Sequence, residues 1–147
     1  MHIARIAAIV NPMSGAGMDP HAATHRVAML RDAFASRQIS ATIDLTARSG
    51  HARELARAFP VLFLSGIPRM TAEMGDRARR FTWLVDILYD HRVKLVLSAD
   101  APAEALFVEG RNAHEFARTA SRLVEMRSHD YMALAHASEE TPAAAGA

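Results

Sequence analysis

Residues Val61 to Ser98 read VLFLSGIPRMTAEMGDRARRFTWLVDILYDHRVKLVLS. Two short apolar runs, VLFLS (Val61 to Ser65) and VKLVLS (Val93 to Ser98), flank a longer amphipathic stretch. The first run is stopped by Gly66 and Pro68, which marks a buried strand. Between the runs, Ala78, Phe81, Leu84, Val85 and Leu88 recur every three or four residues, so they share one face of a helix. That helix is predicted from a cap at Thr71 to Asp90. A strand, a helix and a second strand in succession imply parallel strands joined by a right-handed crossover.

The same rhythm extends in both directions. Upstream, IARIAAIV (Ile3 to Val10) is short and ends at Asn11-Pro12, as a strand does. Asp19-Pro20 looks like a helix start, and Ala23, Val27, Leu30 and Phe34 continue at helical spacing to about Arg37. ATIDLT (Ala41 to Thr46) alternates and is β-branched, hence a strand. Gly50 to Ala58 is a short helix with Ala52, Leu55 and Ala56 inward. Downstream, ADAPAEALF holds one helical turn. A helix from Ala113 to Arg127 then buries Phe116, Ala120, Leu123 and Val124, and Ser128 caps a last short helix through Tyr131 and Leu134. The predicted order is βαβαβαβα: an α/β fold, one three-layer domain over residues 1–137 with four mostly parallel strands. The final SEETPAAAGA (138–147) carries no large apolar side chain and is predicted to be a disordered tail.

Composition narrows the function. The chain has 147 residues, 50% apolar and 22% charged, with a formal net charge of +1. Such a balance gives no argument for nucleic acid or an anionic membrane. There is no cysteine, which excludes disulfides, thiolate metal sites and a cysteine nucleophile, and fits a cytoplasmic location. The first ten residues are too short and too soon interrupted for a signal peptide. No apolar run approaches the ~18 residues of a membrane span.

In doubly wound folds, ligands lie beyond the carboxyl ends of the strands. Here that edge comprises Asn11 to Gly17, Thr46 to Gly50, Gly66 to Met70 and Ala99 to Pro102. Ser14, Gly15 and Gly17 suit a phosphate, because glycine lets backbone N–H groups approach oxygen. The loop lacks the Gly-Lys-Ser/Thr of a Walker motif and the spacing of a dinucleotide fingerprint. Asp19 would also repel a phosphate. A plain turn into a helix is the alternative.

IAAIVNPMSGAG followed by IDLTARSGHARELAR resembles the opening of the diacylglycerol kinase-type lipid kinase catalytic domain, over residues 1–57. The shared positions are Asn11, Pro12, Ser14 and Gly15, then Thr46, Gly50, His51 and Ala52. The resemblance implies an ATP site and makes Asn11, Pro12, Ser14, Gly15, Gly17, Thr46 and Gly50 nucleotide-binding candidates, with ATP and Mg2+ as the cofactor. The family's Gly-Gly-Asp-Gly-Thr loop is absent; SGIPRMTAEM stands there instead.

From Leu55 to residue 137 the chain resembles the C-terminal part of the ZapE-type AAA+ cell-division ATPase family. Arg79-Arg80-Phe81, Asp86 with Tyr89-Asp90, and SRLVEMRS (Ser121 to Ser128) carry that likeness. It implies a cell-division protein as partner. The family's Walker motifs lie upstream of the matching segment and are absent here. The chain thus reads as a hybrid joined near ELARAF, with segments 1–57 and 58–137, and is expected to be inactive alone.

Other chemistry is sparse. His21 and His25 lie one turn apart without a third ligand, so no metal is expected. Arg77, Arg79 and Arg80 either meet a phosphate or acidic partner, or pair with Glu73 and Asp76 on a solvated face. Arg79 and Arg80 are the candidate partner contacts. Asp86 and Asp90 either share acid–base work or pair structurally, Asp90 with His91 or Arg92. Trp83 lies off the apolar stripe, as a partner contact or as cover for a second core edge. Ser98, Asp100 and the histidines form no triad pattern. Three functions follow: a nucleotide- or phosphate-binding domain, an ATP-dependent lipid kinase fragment, or a ZapE-like interaction module.

Overall fold

The computed structural model describes residues 6–10, 20–39, 41–45 and 51–137. Along the chain run β1 (Ile6–Val10), α1 (Pro20–Ala35), β2 (Ala41–Leu45), α2 (His51–Ala58), β3 (Val61–Ile67), α3 (Gly75–Asp90), β4 (Lys94–Ala99), α4 (Ala113–Glu125) and α5 (His129–Ala133). Single 3-10 turns precede α3 (Ala72–Met74) and α4 (Ala103–Ala105). The mixed α/β class follows the alternation of the sequence. The loop at 11–19, residues 46–50 and the tail at 138–147 lie outside the described residues.

The strands are parallel in the order β2-β1-β3-β4. β3 alternates its side chains between two apolar environments, as the two-residue period of a strand requires. Leu62 and Leu64 enter a core shared with Leu55 and Ala56 of α2, Phe81, Val85 and Leu88 of α3, and Phe116 and Leu123 of α4. Val61 and Phe63 pack with Phe34 and Leu30 of α1. The Phe34 and Phe63 rings meet edge to face at 5.1 Å and 82°, the favoured quadrupole geometry.

Two local features depart from the sequence reading. β3 does not stop at Ser65. It bulges between Leu64 and Ile67 and pairs again, Ile67 with Ala99. Gly66 turns this bulge with φ 76°, a conformation glycine adopts without a Cβ clash, and its N–H donates to the Ser98 hydroxyl at 2.9 Å. Likewise, α3 itself begins only at Gly75, directly after a 3-10 turn whose N-cap is the predicted Thr71. A hydrogen bond from the Thr71 side chain holds the Glu73 pKa below its ordinary value.

α3 ends without a glycine. Arg92 takes the left-handed conformation, φ 55°, and donates its N–H to the Tyr89 carbonyl at 3.0 Å. Val93 N–H then reaches the Leu88 carbonyl at 2.9 Å. These two bonds define a Schellman end, and its apolar contact is made by Leu88 and Val93, both fully buried.

The C-terminal residues fasten β4 and α2 from outside. Lys94 Nζ donates to the Tyr131 and Leu134 carbonyls at 2.9 and 2.7 Å and to Arg92 at 3.2 Å, and lies 4.8 Å from the Tyr131 ring centre. Burial first, then the neighbouring Arg92 charge, lowers its pKa. Ala137 N–H donates to the His91 carbonyl at 3.0 Å, and His136 Nε2–H to the Ala56 carbonyl at 2.7 Å. Ser128 caps α5 as predicted, accepting from Tyr131 N–H at 3.2 Å.

Leu62→Ala is expected to lower the unfolding free energy by about 2–5 kcal/mol. Arg92→Gly is expected to raise it by about 0.5–1 kcal/mol, through relief of the left-handed strain. Urea denaturation of the two variants beside the parent measures both.

Candidate functional site

All seven nucleotide candidates, Asn11, Pro12, Ser14, Gly15, Gly17, Thr46 and Gly50, lie outside the described residues. The strands that lead to them are described. Val10 is level with Leu45 of β2 and with Ser65 of β3, so β1 and β2 end side by side at the edge of the sheet where β3 runs on to Ile67. His51, in the first turn of α2, has its Nδ1 buried without a hydrogen-bond partner among the described residues. At the same edge Ser98 is engaged by Gly66, and Asp100 N–H donates to the Ile67 carbonyl at 2.9 Å. Both residues therefore shape the strand end.

The second cluster lies where α3 meets α4. Phe81 and Phe116 stack at 6.1 Å, and the Thr82 and Thr119 hydroxyls bond at 2.9 Å. Thr119 is buried, and this partner satisfies its hydroxyl. Further along, Arg122 forms an ion pair with Asp86 and stands 4.9 Å from the Tyr89 ring centre. Tyr89 OH donates to Glu125 at 2.9 Å. That bond, followed by desolvation, raises the Tyr89 pKa. Asp86 is thus committed to Arg122. Asp90 makes no ion pair among the described residues, neither with His91 nor with Arg92. Of the two alternatives read from the sequence, Asp86 takes the structural one, facing α4, while Asp90 faces solvent.

Arg77, Arg79 and Arg80 are exposed. Among the described residues none of them pairs with a carboxylate; Arg80 Nε donates to the Asp76 backbone carbonyl at 3.4 Å. The pairing with Glu73 and Asp76 considered above is absent. Trp83 is 59% exposed. A cleft of about 60 Å³ between α3 and α4 is lined by Arg79, Thr82, Trp83, Asn112 and Glu115 over apolar Phe116. A wider groove of about 740 Å³ runs along α4 past Phe107, Val108, Ala117 and Val124. Among the described residues no three His, Asp or Glu side chains come together to hold a metal ion. No described helix is long and apolar enough to cross a membrane.

The chain belongs to the AFG1-like ATPase family, whose model matches residues 20–135. It is 42% identical over 96 residues to the cell division protein ZapE of Escherichia coli K12, covering 65% of this chain and 26% of that protein. It is 38% identical over 78 residues to lactation elevated protein 1 homolog B of Danio rerio, covering 53% of this chain and 16% of that protein. The chain spans about a quarter of the length of the first relative and less of the second. The AAA+ ATPase likeness read from the second half holds. Nothing in these comparisons supports the lipid kinase component, and the family match runs unbroken through the supposed join near ELARAF.

Burial, then the nearby Tyr89 and Glu125, pushes the Tyr131 pKa to about 12. The fold prefers the neutral phenol, whose OH donates to the Val93 carbonyl at 3.2 Å. Its stabilisation is therefore full below the unfolded tyrosine value of about 10 and lost as pH rises from there through about 12. Tyrosinate absorbance should show neither tyrosine half-titrated at about pH 10 in the folded protein, and both half-titrated there in urea. Equal titration in both states would contradict this assignment.

Proposed function

We propose that this chain serves as a docking portion of an AFG1-like ATPase, and that hydrolysis belongs to other parts of such proteins. The observation that carries this reading is the family match over residues 20–135 in a chain with no Gly-Lys-Ser/Thr sequence. The guanidinium groups of Arg79 and Arg80, exposed and without carboxylate partners among the described residues, supply the contact surface. The printed name of the E. coli relative points to a cell-division protein as the partner. A cytoplasmic location accords with this role and with the absence of cysteine.

A second reading, nucleotide binding, is favoured by the level carboxyl ends of the adjacent strands β1 and β2. Asn11, Pro12, Ser14, Gly15 and Gly17 follow β1 in sequence, and Thr46 and Gly50 follow β2. ATP with Mg2+ is the ligand, and family membership adds support. In both readings the helices cover the two faces of the sheet as a three-layer domain, which the opposite packing of Leu62 and Phe63 supports.

Phosphate release from ATP–Mg2+ by the isolated chain is expected to stay at the no-protein background. Turnover above it would overturn the docking reading. Calorimetric titration with ATP–Mg2+ tests the second reading: heat that disappears in Asn11→Ala and Ser14→Ala supports it, and no heat at millimolar nucleotide removes it.

A further inference from the structure

Trp83 is the chain's sole tryptophan, and it stands on solvent. At about 100° per residue it lies opposite the face that buries Phe81, Val85 and Leu88. It is thus no overflow of the core. Arg79 precedes it by one turn and Arg80 by three residues, so both guanidinium groups share its side of the helix. Among the described residues no cation stacks on the indole; the cation–ring contacts are those of Lys94 and Arg122. Exposed tryptophan and arginine are the side chains that dominate binding energy when a partner covers them.

The surroundings define the partner. The cleft beside Trp83 holds about 60 Å³ over an apolar floor, room for one branched aliphatic group. Its rim carries Arg79 and Asn112, with Glu115 on the α4 side. Two positive groups without carboxylate partners call for carboxylates. Asp76 and Glu115 interrupt the positive field, so a polyanion with a charge at every step, such as nucleic acid, would be repelled. Carboxylates spaced along a peptide can meet Arg79 and Arg80 and avoid both.

From this charge complementarity we infer that the Arg79–Arg80–Trp83 face of α3 is a docking site for an acidic protein segment. One aliphatic side chain of that segment enters the cleft between α3 and α4, and flanking carboxylates engage the two arginines. The inference deepens the docking reading and rests on it, yet it is tested without nucleotide or ATP turnover.

The lone tryptophan reports directly on the site. The probe is a synthetic, tryptophan-free peptide of glutamates around a single leucine, titrated into the full chain. Saturable blue-shifted emission is expected, with acrylamide quenching reduced about two-fold. In Arg79→Glu/Arg80→Glu, affinity should fall about ten-fold or more, as should affinity for the peptide with alanine in place of leucine. Circular dichroism checks that the variant is folded; if it is not, Arg79→Gln/Arg80→Gln replaces it. No spectral response, an equal response to a lysine-for-glutamate peptide, or an unchanged response in the variant would overturn the inference. A response to oligo-dT in place of the peptide would also overturn it in favour of nucleic acid. A shift produced by raising the chain's own concentration would assign the face to a second copy. ATP turnover by the chain would sink the docking reading while leaving this titration interpretable.

Discussion

β3 has to satisfy two apolar environments with one run of residues, and most of the described structure depends on its doing so. Leu62 and Leu64 serve the core that α2, α3 and α4 share, while Val61 and Phe63 serve α1. A slip of one residue would exchange the two sets and place a phenylalanine where a leucine fits. Pairing to β1 on one side and β4 on the other fixes that register. The bulge at Gly66 appears only after the four-residue apolar run is complete, where re-aiming the strand no longer disturbs the core.

The helices are then joined mainly by packing, with a few polar locks at their ends. The Thr82–Thr119 bond and the Arg122–Asp86 pair tie α3 to α4 at successive turns. Arg122 also covers the Tyr89 ring, so its aliphatic and π contacts add to its charge. Arg79 and Trp83 therefore stand beside this seam, lining the cleft that α3 shares with α4, and Arg80 lies exposed next to them. The chain belongs to the AFG1-like ATPase family and spans about a quarter of the length of the E. coli relative.

Much of this was legible in the residue pattern. Apolar runs bounded by glycine and proline located β3 and β4, and the spacing from Ala78 to Leu88 oriented α3. The end of α3 was less legible, because the usual glycine is replaced by Arg92, whose left-handed backbone is held by Leu88 and Val93 packing together. The Gly66 bulge was misread as a stop, since glycine signals both and only pairing with β4 decides between them. The Arg122–Asp86 pair lies beyond local periodicity: its members are 36 positions apart and meet only once two helices have packed. For Trp83 the sequence showed an off-stripe position, and the fold decided that it faces solvent. The nucleotide candidates around Ser14 and Thr46 came from resemblance more than from spacing, and the family match favoured the other resemblance instead.

The clamp around Lys94 bears on how the chain reaches this state. Its acceptors at Tyr131 and Leu134, and the Ala137 and His136 contacts, come from the last described residues, while their partners lie as far back as Ala56. During synthesis from the N-terminus, β3, α3 and β4 leave the ribosome well before the residues that fasten them. Lys94 therefore spends that interval still hydrated, without the Tyr131 and Leu134 carbonyls that later accept its hydrogens. Synthesis of residues 131–137 separates a provisional assembly from a fastened one.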